Sequence, residues 1–126
     1  MMAVPTYLAP SPIEGIGLFA AEPIVKGTVI WTPQGERVFP PHEVDEMPPL
    51  FREFVARYGY LLNDPPGVWA CGLDNSRFMN HDGANPSAVP QGAVYVAARD
   101  LAAGDELTYD YGDDALTERL RRDAAE

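Results

Sequence analysis

Cysteine is nearly missing from this chain: Cys71 stands alone among 126 residues. No intramolecular disulfide can form, and a cysteine-rich zinc site is excluded. No stretch is long and apolar enough to span a membrane. The opening residues, MMAVPTYLAPSP, lack a basic segment followed by an apolar run, so they do not read as a secretory signal. Cations are scarce too, with nine Lys and Arg against nineteen Asp and Glu, a formal charge of −10. That balance argues against nucleic-acid binding, because phosphates would be repelled. It leaves two readings open, an acidic surface that keeps the chain soluble or one that attracts a basic partner such as a lysine-rich tail. A soluble cytoplasmic protein is the default expectation.

What the chain does have is proline, glycine and tyrosine. Thirteen prolines and eleven glycines predict short elements broken by turns and argue against a helical bundle. The length allows one domain with one core. Thr6–Ala9 reads as extended, Gly15-Ile16-Gly17 as a tight turn into Leu18-Phe19-Ala20, and Thr28–Thr32 as a buried strand. Lys26-Gly27 and Gly104-Asp105 supply turn chemistry before strands. Between them, Pro40–Pro49 reads as an acidic loop. Leu50–Tyr58 is the one convincing internal helix, with Leu50, Phe54 and Tyr58 as its apolar stripe, Phe51 and Val55 flanking it, and Gly59 as its stop. Tyr60–Leu62 and Val68–Ala70 read as paired short strands, followed by strands at Ala93–Ala98 and Leu107–Tyr111. Ala115–Ala125 has helical composition, with Asp114 as its cap.

The stretch with most chemical content is Glu106–Gly112, ELTYDYG. On a strand, Tyr109 and Tyr111 share a face and Asp110 takes the other. Two phenols side by side either fill a core or line a narrow channel with polar tips. The RFMNH stretch, Arg77–His81, crowds strong hydrogen-bonders around Phe78 and Met79, so part of it must be buried with its polar groups paired.

Taken with Glu14–Gly27 (EGIGLFAAEPIVKG) and Arg99–Asp105 (RDLAAGD), these stretches resemble the signature blocks of the SET-domain lysine methyltransferases, in the family's order and spacing. The resemblance runs from about Pro10 to Gly112. It implies a mainly β protein with a few short helices, the SET (β-clip) fold of small curved sheets with a C-terminal pseudoknot. Residues 1–112 would form the domain, 36–70 its variable insert, and 113–126 a short helix or tail. It implies S-adenosylmethionine as cofactor and a lysine in a basic protein, such as a histone or histone-like tail, as substrate. Tyr111 matches the catalytic tyrosine, with Tyr109 and Tyr58 as further channel walls; Tyr60 is the alternative to Tyr58. Asn80 would hold the amino-acid end of the cofactor, the His81 backbone its adenine, and Arg77 its carboxylate or the surrounding fold. Phe78 and Gly15, Ile16 and Gly17 would complete the cofactor site, the glycines by letting the backbone approach. A tyrosine at 109 implies mainly mono-methylation with some di-methylation.

The chain departs from the family after His81, where Asp82-Gly83-Ala84-Asn85-Pro86 replaces the usual Ser-Cys-x-Pro-Asn. No cysteine cluster follows Tyr111, so the Ala115–Ala125 helix or a second subunit, as in a homodimer, would have to close the lysine channel. A non-catalytic module that keeps the same fold to bind cofactor or a basic peptide is the alternative function. Cytoplasm is the expected location, or a host nucleus for a delivered protein.

Overall fold

The computed structural model describes residues 1–62 and 65–114. Three small sheets carry it. The first begins with β1 (Thr6–Pro10) and β2 (Ile16–Ala20), antiparallel from Thr6 opposite Ala20 to Pro10 opposite Ile16. Their connection is a turn closed by Ser11 N–H to the Gly15 carbonyl at 2.8 Å, with the Ser11 hydroxyl accepting from Ile13 N–H at 3.0 Å. The predicted turn at Gly15-Ile16-Gly17 is therefore displaced towards the N-terminus. Gly17 lies within β2, opposite Ala9. A strand suits this stretch because Leu18 and Ala20 are buried against the core and the antiparallel partner takes the backbone bonds.

The second sheet joins β3 (Val29–Trp31) to β8 (Ala88–Gln91) and β9 (Val94–Ala97), ordered β3-β9-β8. The third joins β4 (Glu36–Phe39), β5 (Tyr60–Leu61) and β6 (Trp69–Gly72), ordered β4-β6-β5. Tyr60 and Leu61 face Ala70 and Trp69, the pairing expected from the sequence. Turns at Gly27 and Gly104 fall where expected, at φ +85° and +92°, a region that glycine enters without Cβ strain.

Between β4 and β5 run two helices, α1 (Pro41–Glu46) and α2 (Pro49–Tyr58). α1 corrects the loop expected over Pro40–Pro49. A proline in the first helical turn loses no needed donor and presets φ, so Pro41 starts a helix rather than preventing one. α2 ends at Gly59 as expected, but its buried face is not the predicted stripe. Val55 is 2 % exposed, whereas Leu50 is 81 % exposed.

The last strand, β10 (Glu106–Tyr109), completes the first sheet and positions the site. It runs antiparallel to β2 on one side and parallel to β7 (Asn80–His81) on the other, in the order β1-β2-β10-β7. Leu18, Ile30 and Leu107 lie fully buried in the core beneath, each contributing about 1.5–3 kcal/mol by leaving water. A second cluster, Phe39, Met47, Val55, Trp69 and Cys71, lies under α1 and α2. The helix predicted for Ala115–Ala125 lies outside the described residues. No described helix is long and apolar enough to cross a membrane.

Candidate active site

β10 stops at Tyr109, and Tyr111 sits in a 3₁₀ turn over Tyr111–Asp114, so the two tyrosines do not share one strand as expected. The turn nevertheless keeps the rings together, with centroids 4.7 Å apart. From there ring contacts continue. Tyr109 meets Tyr95 at 5.5 Å, Tyr95 meets Trp31 at 5.8 Å, and Trp31 meets Tyr60 at 6.3 Å. This aromatic arc lines a cleft of about 440 Å³ that Tyr58, Arg77 and Glu36 also border. Tyr58 reaches it from the end of α2, braced by Phe54 at 5.0 Å and Phe78 at 5.8 Å. Both tyrosines proposed for the 58/60 position therefore border the cleft.

Hydrogen bonding fixes Tyr111 from two sides. Its hydroxyl donates to the Met79 carbonyl at 2.6 Å, and its backbone N–H donates to His81 Nδ1 at 2.9 Å. A hydroxyl whose proton is so committed can meet a ligand only as an acceptor. The His81 ring also packs on Tyr111 at 5.1 Å, so this histidine positions the tyrosine through its side chain. Met79 directly precedes Asn80, which ties the cleft to the other group of expected residues.

That group gathers around Asn80. Its Nδ2 donates to the Glu14 carbonyl at 3.1 Å, the Ile16 carbonyl at 3.5 Å and Glu106 Oε2 at 3.0 Å. Oδ1 takes no bond from a described residue, which leaves an acceptor suited to an ammonium group. Ile16 beside it is 52 % exposed, an apolar side chain available to a ligand. Residues 16, 80 and 111, far apart in sequence, thus converge. Gly17 also has a part in the fold. A Cβ there would lie 2.5 Å from Glu106 Oε2 and 2.9 Å from Ser11 Cβ. Glycine makes room for the Glu106 carboxylate, which also accepts from the Ser11 hydroxyl at 2.9 Å. Arg77 serves the surrounding fold, donating to the Asp74 carbonyl at 3.1 Å and lying over the Phe78 ring at 4.7 Å. Asp74 in turn anchors the chain before Asn80, accepting from Ser76 and Met2 N–H. Burial opposes ionisation of Asp74, but those hydrogen bonds outweigh it and hold the carboxyl below its usual range.

Trp31, Tyr95, Met79 and Glu36 also line the cleft, without being expected there. Tyr95 alternates with Val94 and Val96 in a strand, a signal that it faces away from its neighbours. Met79 acts through its carbonyl, for which side-chain chemistry gives no cue.

The SET domain family model matches residues 15–112, more than three-quarters of the chain. The chain belongs to the SET-domain family. It is 30 % identical over 115 residues to the histone-lysine N-methyltransferase mes-2 of Caenorhabditis elegans, covering 84 % of this chain but 15 % of that protein. Among solved structures it is similar to ctPRC2 in an autoinhibited conformation bound to S-adenosylmethionine. That match has 27 % identity and a TM-score of 0.65, over 94 % of this chain and 17 % of that one. A second is Chaetomium thermophilum Polycomb Repressive Complex 2 bound to GSK126, at 26 % identity and a TM-score of 0.66, covering 95 % and 18 %. The SET chain thus spans about one-sixth of these relatives, which share its fold of strands, two short helices and small sheets. S-adenosylmethionine is the methyl donor of SET methyltransferases.

Proposed function

We propose that this SET domain is an S-adenosylmethionine-dependent protein-lysine N-methyltransferase acting on a basic protein, mainly to the mono-methyl state with some di-methyl product. One observation carries the reading. The Tyr111 hydroxyl at the aromatic cleft is held by the carbonyl of Met79, whose chain neighbour Asn80 donates to the carbonyls of Glu14 and Ile16 and does not itself line the cleft. An amine in the cleft and a donor held at Asn80 would then meet at this short segment, as a transfer between two ligands needs.

The donor set fits the cofactor. Asn80 Oδ1 would take its ammonium, and the exposed edge at Ile16 with the chain at His81 would hold the remainder. When bound, S-adenosylmethionine supplies an electrophilic methyl group on a sulfonium. The chain's own residues do the rest. Trp31, Tyr95 and Tyr109 offer ring faces to a cation and exclude water from the amine. The Tyr111 oxygen, acceptor only, orients an amine N–H and so aims the nitrogen lone pair. Transfer of labelled methyl groups from S-adenosylmethionine to mixed basic proteins tests the activity. No label on the basic proteins, with Tyr111→Phe equally silent, would refute it.

Two consequences follow from the amine chemistry. Lysine attacks only when neutral, yet its ordinary pKa is about 10.4, so at pH 7 roughly one in two thousand is ready, a handicap of about 4.6 kcal/mol. The single-turnover rate should therefore climb from neutral pH to about pH 9. A flat profile with chemistry limiting would contradict the mechanism. The second concerns Tyr109, whose ring lies between Tyr95 and Tyr111. Its hydroxyl occupies volume that a methylated amine would need. Tyr109→Phe should move the product from mono- towards di- and tri-methyl lysine by mass spectrometry, and trimethyl lysine as the wild-type product would overturn the assignment.

A further inference from the structure

Glu36 has no part in the mechanism above, yet it is the one carboxylate among the described residues bordering the cleft. It opens β4, opposite Gly72 of β6. One carboxylate oxygen, Oε2, accepts from the Tyr60 hydroxyl. The other, Oε1, is buried and has no hydrogen-bond partner among the described residues. A half-satisfied carboxylate among aromatic rings is costly, because desolvation weighs most on an unpaired charge. Burial raises the Glu36 carboxyl above its usual range; the Tyr60 hydrogen bond and the Met1 amine pull it back, while Asp74 adds to the rise. If the fold needed only a partner for Tyr60, a glutamine carbonyl would serve without that cost. The other charged group at the cleft, Arg77, is already engaged with the Asp74 carbonyl and the Phe78 ring.

We propose that Glu36 is the residue that selects lysine: its carboxylate pairs with the ε-ammonium of the entering side chain, so the cleft takes a cationic chain in preference to a neutral one of the same shape. The inference deepens the methyltransferase reading and rests on it in taking lysine as the visitor. Its physical basis is the water-poor aromatic arc, in which a charge pair is stronger than at the open surface. The pairing has a second consequence. A nearby anion favours the charged amine, and the amine must lose its proton before transfer. Glu36 therefore assists entry and not the chemical step, which makes it a substrate-binding residue.

Trp31 borders the cleft while Trp69 is buried in the other core, so tryptophan fluorescence reports occupancy. The probes are a blocked Ala-Lys-Ala tripeptide and its norleucine counterpart, which has the same length without the charge. The wild-type protein should bind the lysine form about tenfold more tightly, Glu36→Gln should lose that preference, and Glu36→Asp should keep part of it. In turnover, Glu36→Gln should raise the KM for a basic protein about tenfold and leave kcat within about twofold. A wild-type protein indifferent to the charge overturns the proposal without any variant having to fold. So does a folded Gln variant that keeps the preference, or one that loses kcat at unchanged KM. An intact lysine preference without methyl transfer would sustain the role of Glu36 and strike the enzymatic reading alone. Transfer without the preference would do the reverse.

Discussion

Tyr111→Phe should lower single-turnover methyl transfer by about a hundred- to a thousandfold, the usual consequence of removing one preorganised polar group from a reacting centre. The substitution is conservative everywhere else. The ring keeps its contacts with Tyr109 at 4.7 Å and His81 at 5.1 Å, and the backbone bond to His81 Nδ1 is untouched. The bond to the Met79 carbonyl and the acceptor oxygen are lost. Losing that one hydrogen bond should cost about 1 kcal/mol of stability, so the variant stays folded. Calorimetric affinity for S-adenosylmethionine should change by no more than about threefold, because Asn80 and the Ile16 edge are undisturbed. A variant that still transfers at about a third of the wild-type rate or better would remove Tyr111 from the chemistry. One that fails only because it no longer binds the donor would make Tyr111 a cofactor residue instead.

The parts of the fold legible in the sequence were those governed by local chemistry. Gly27 and Gly104 announced turns because their backbone needs glycine, and α2 ends at Gly59, where a Cβ would lie 2.7 Å from the Val55 carbonyl and 2.8 Å from that of Ala70. The short β5–β6 pairing was readable because its two apolar runs lie close in sequence. The parallel β7–β10 pairing was not readable from periodicity, since two residues, Asn80 and His81, show no alternation; the family motif alone located them. The stripe chosen on α2 failed because helical spacing cannot say which of two adjacent faces meets a core. Phe51 and Phe54 are partly solvent-facing and hold each other and Phe39, while Val55 takes the buried position. Glu36 was hidden for a related reason. A glutamate in a proline- and glycine-rich stretch reads as surface, and only tertiary packing brings it beside Tyr60.

Ser87→Ala should be strongly destabilising for the change of a single atom. Ser87 is 1 % exposed, and its hydroxyl bonds the backbone of β10 on both sides of Leu107. The hydroxyl accepts from the Thr108 N–H at 2.8 Å and donates to the Glu106 carbonyl at 3.1 Å, while the Ser87 N–H donates to Thr108 Oγ1 at 3.1 Å. β7 reaches β10 only at Thr108 and Tyr109, and beside that point the Ser87 side chain takes backbone bonds of β10. Alanine would leave one buried N–H and one buried carbonyl without their partner, at about 1–3 kcal/mol each. A domain of this size loses about 4 °C of Tm per kcal/mol, so the fall should reach about 8 °C or more. Activity should fall further than stability alone explains, since Glu106 on this strand holds Asn80 and Tyr109 ends it. Ser87→Thr keeps the hydroxyl but crowds a tightly packed site, and Ser87→Cys keeps the shape with a weaker donor; the cysteine variant should fall between serine and alanine. A melting temperature for the alanine variant within about 2 °C of wild type would mean that water or a backbone shift satisfies Thr108 and Glu106, and that β10 does not depend on this hydroxyl to present its tyrosines.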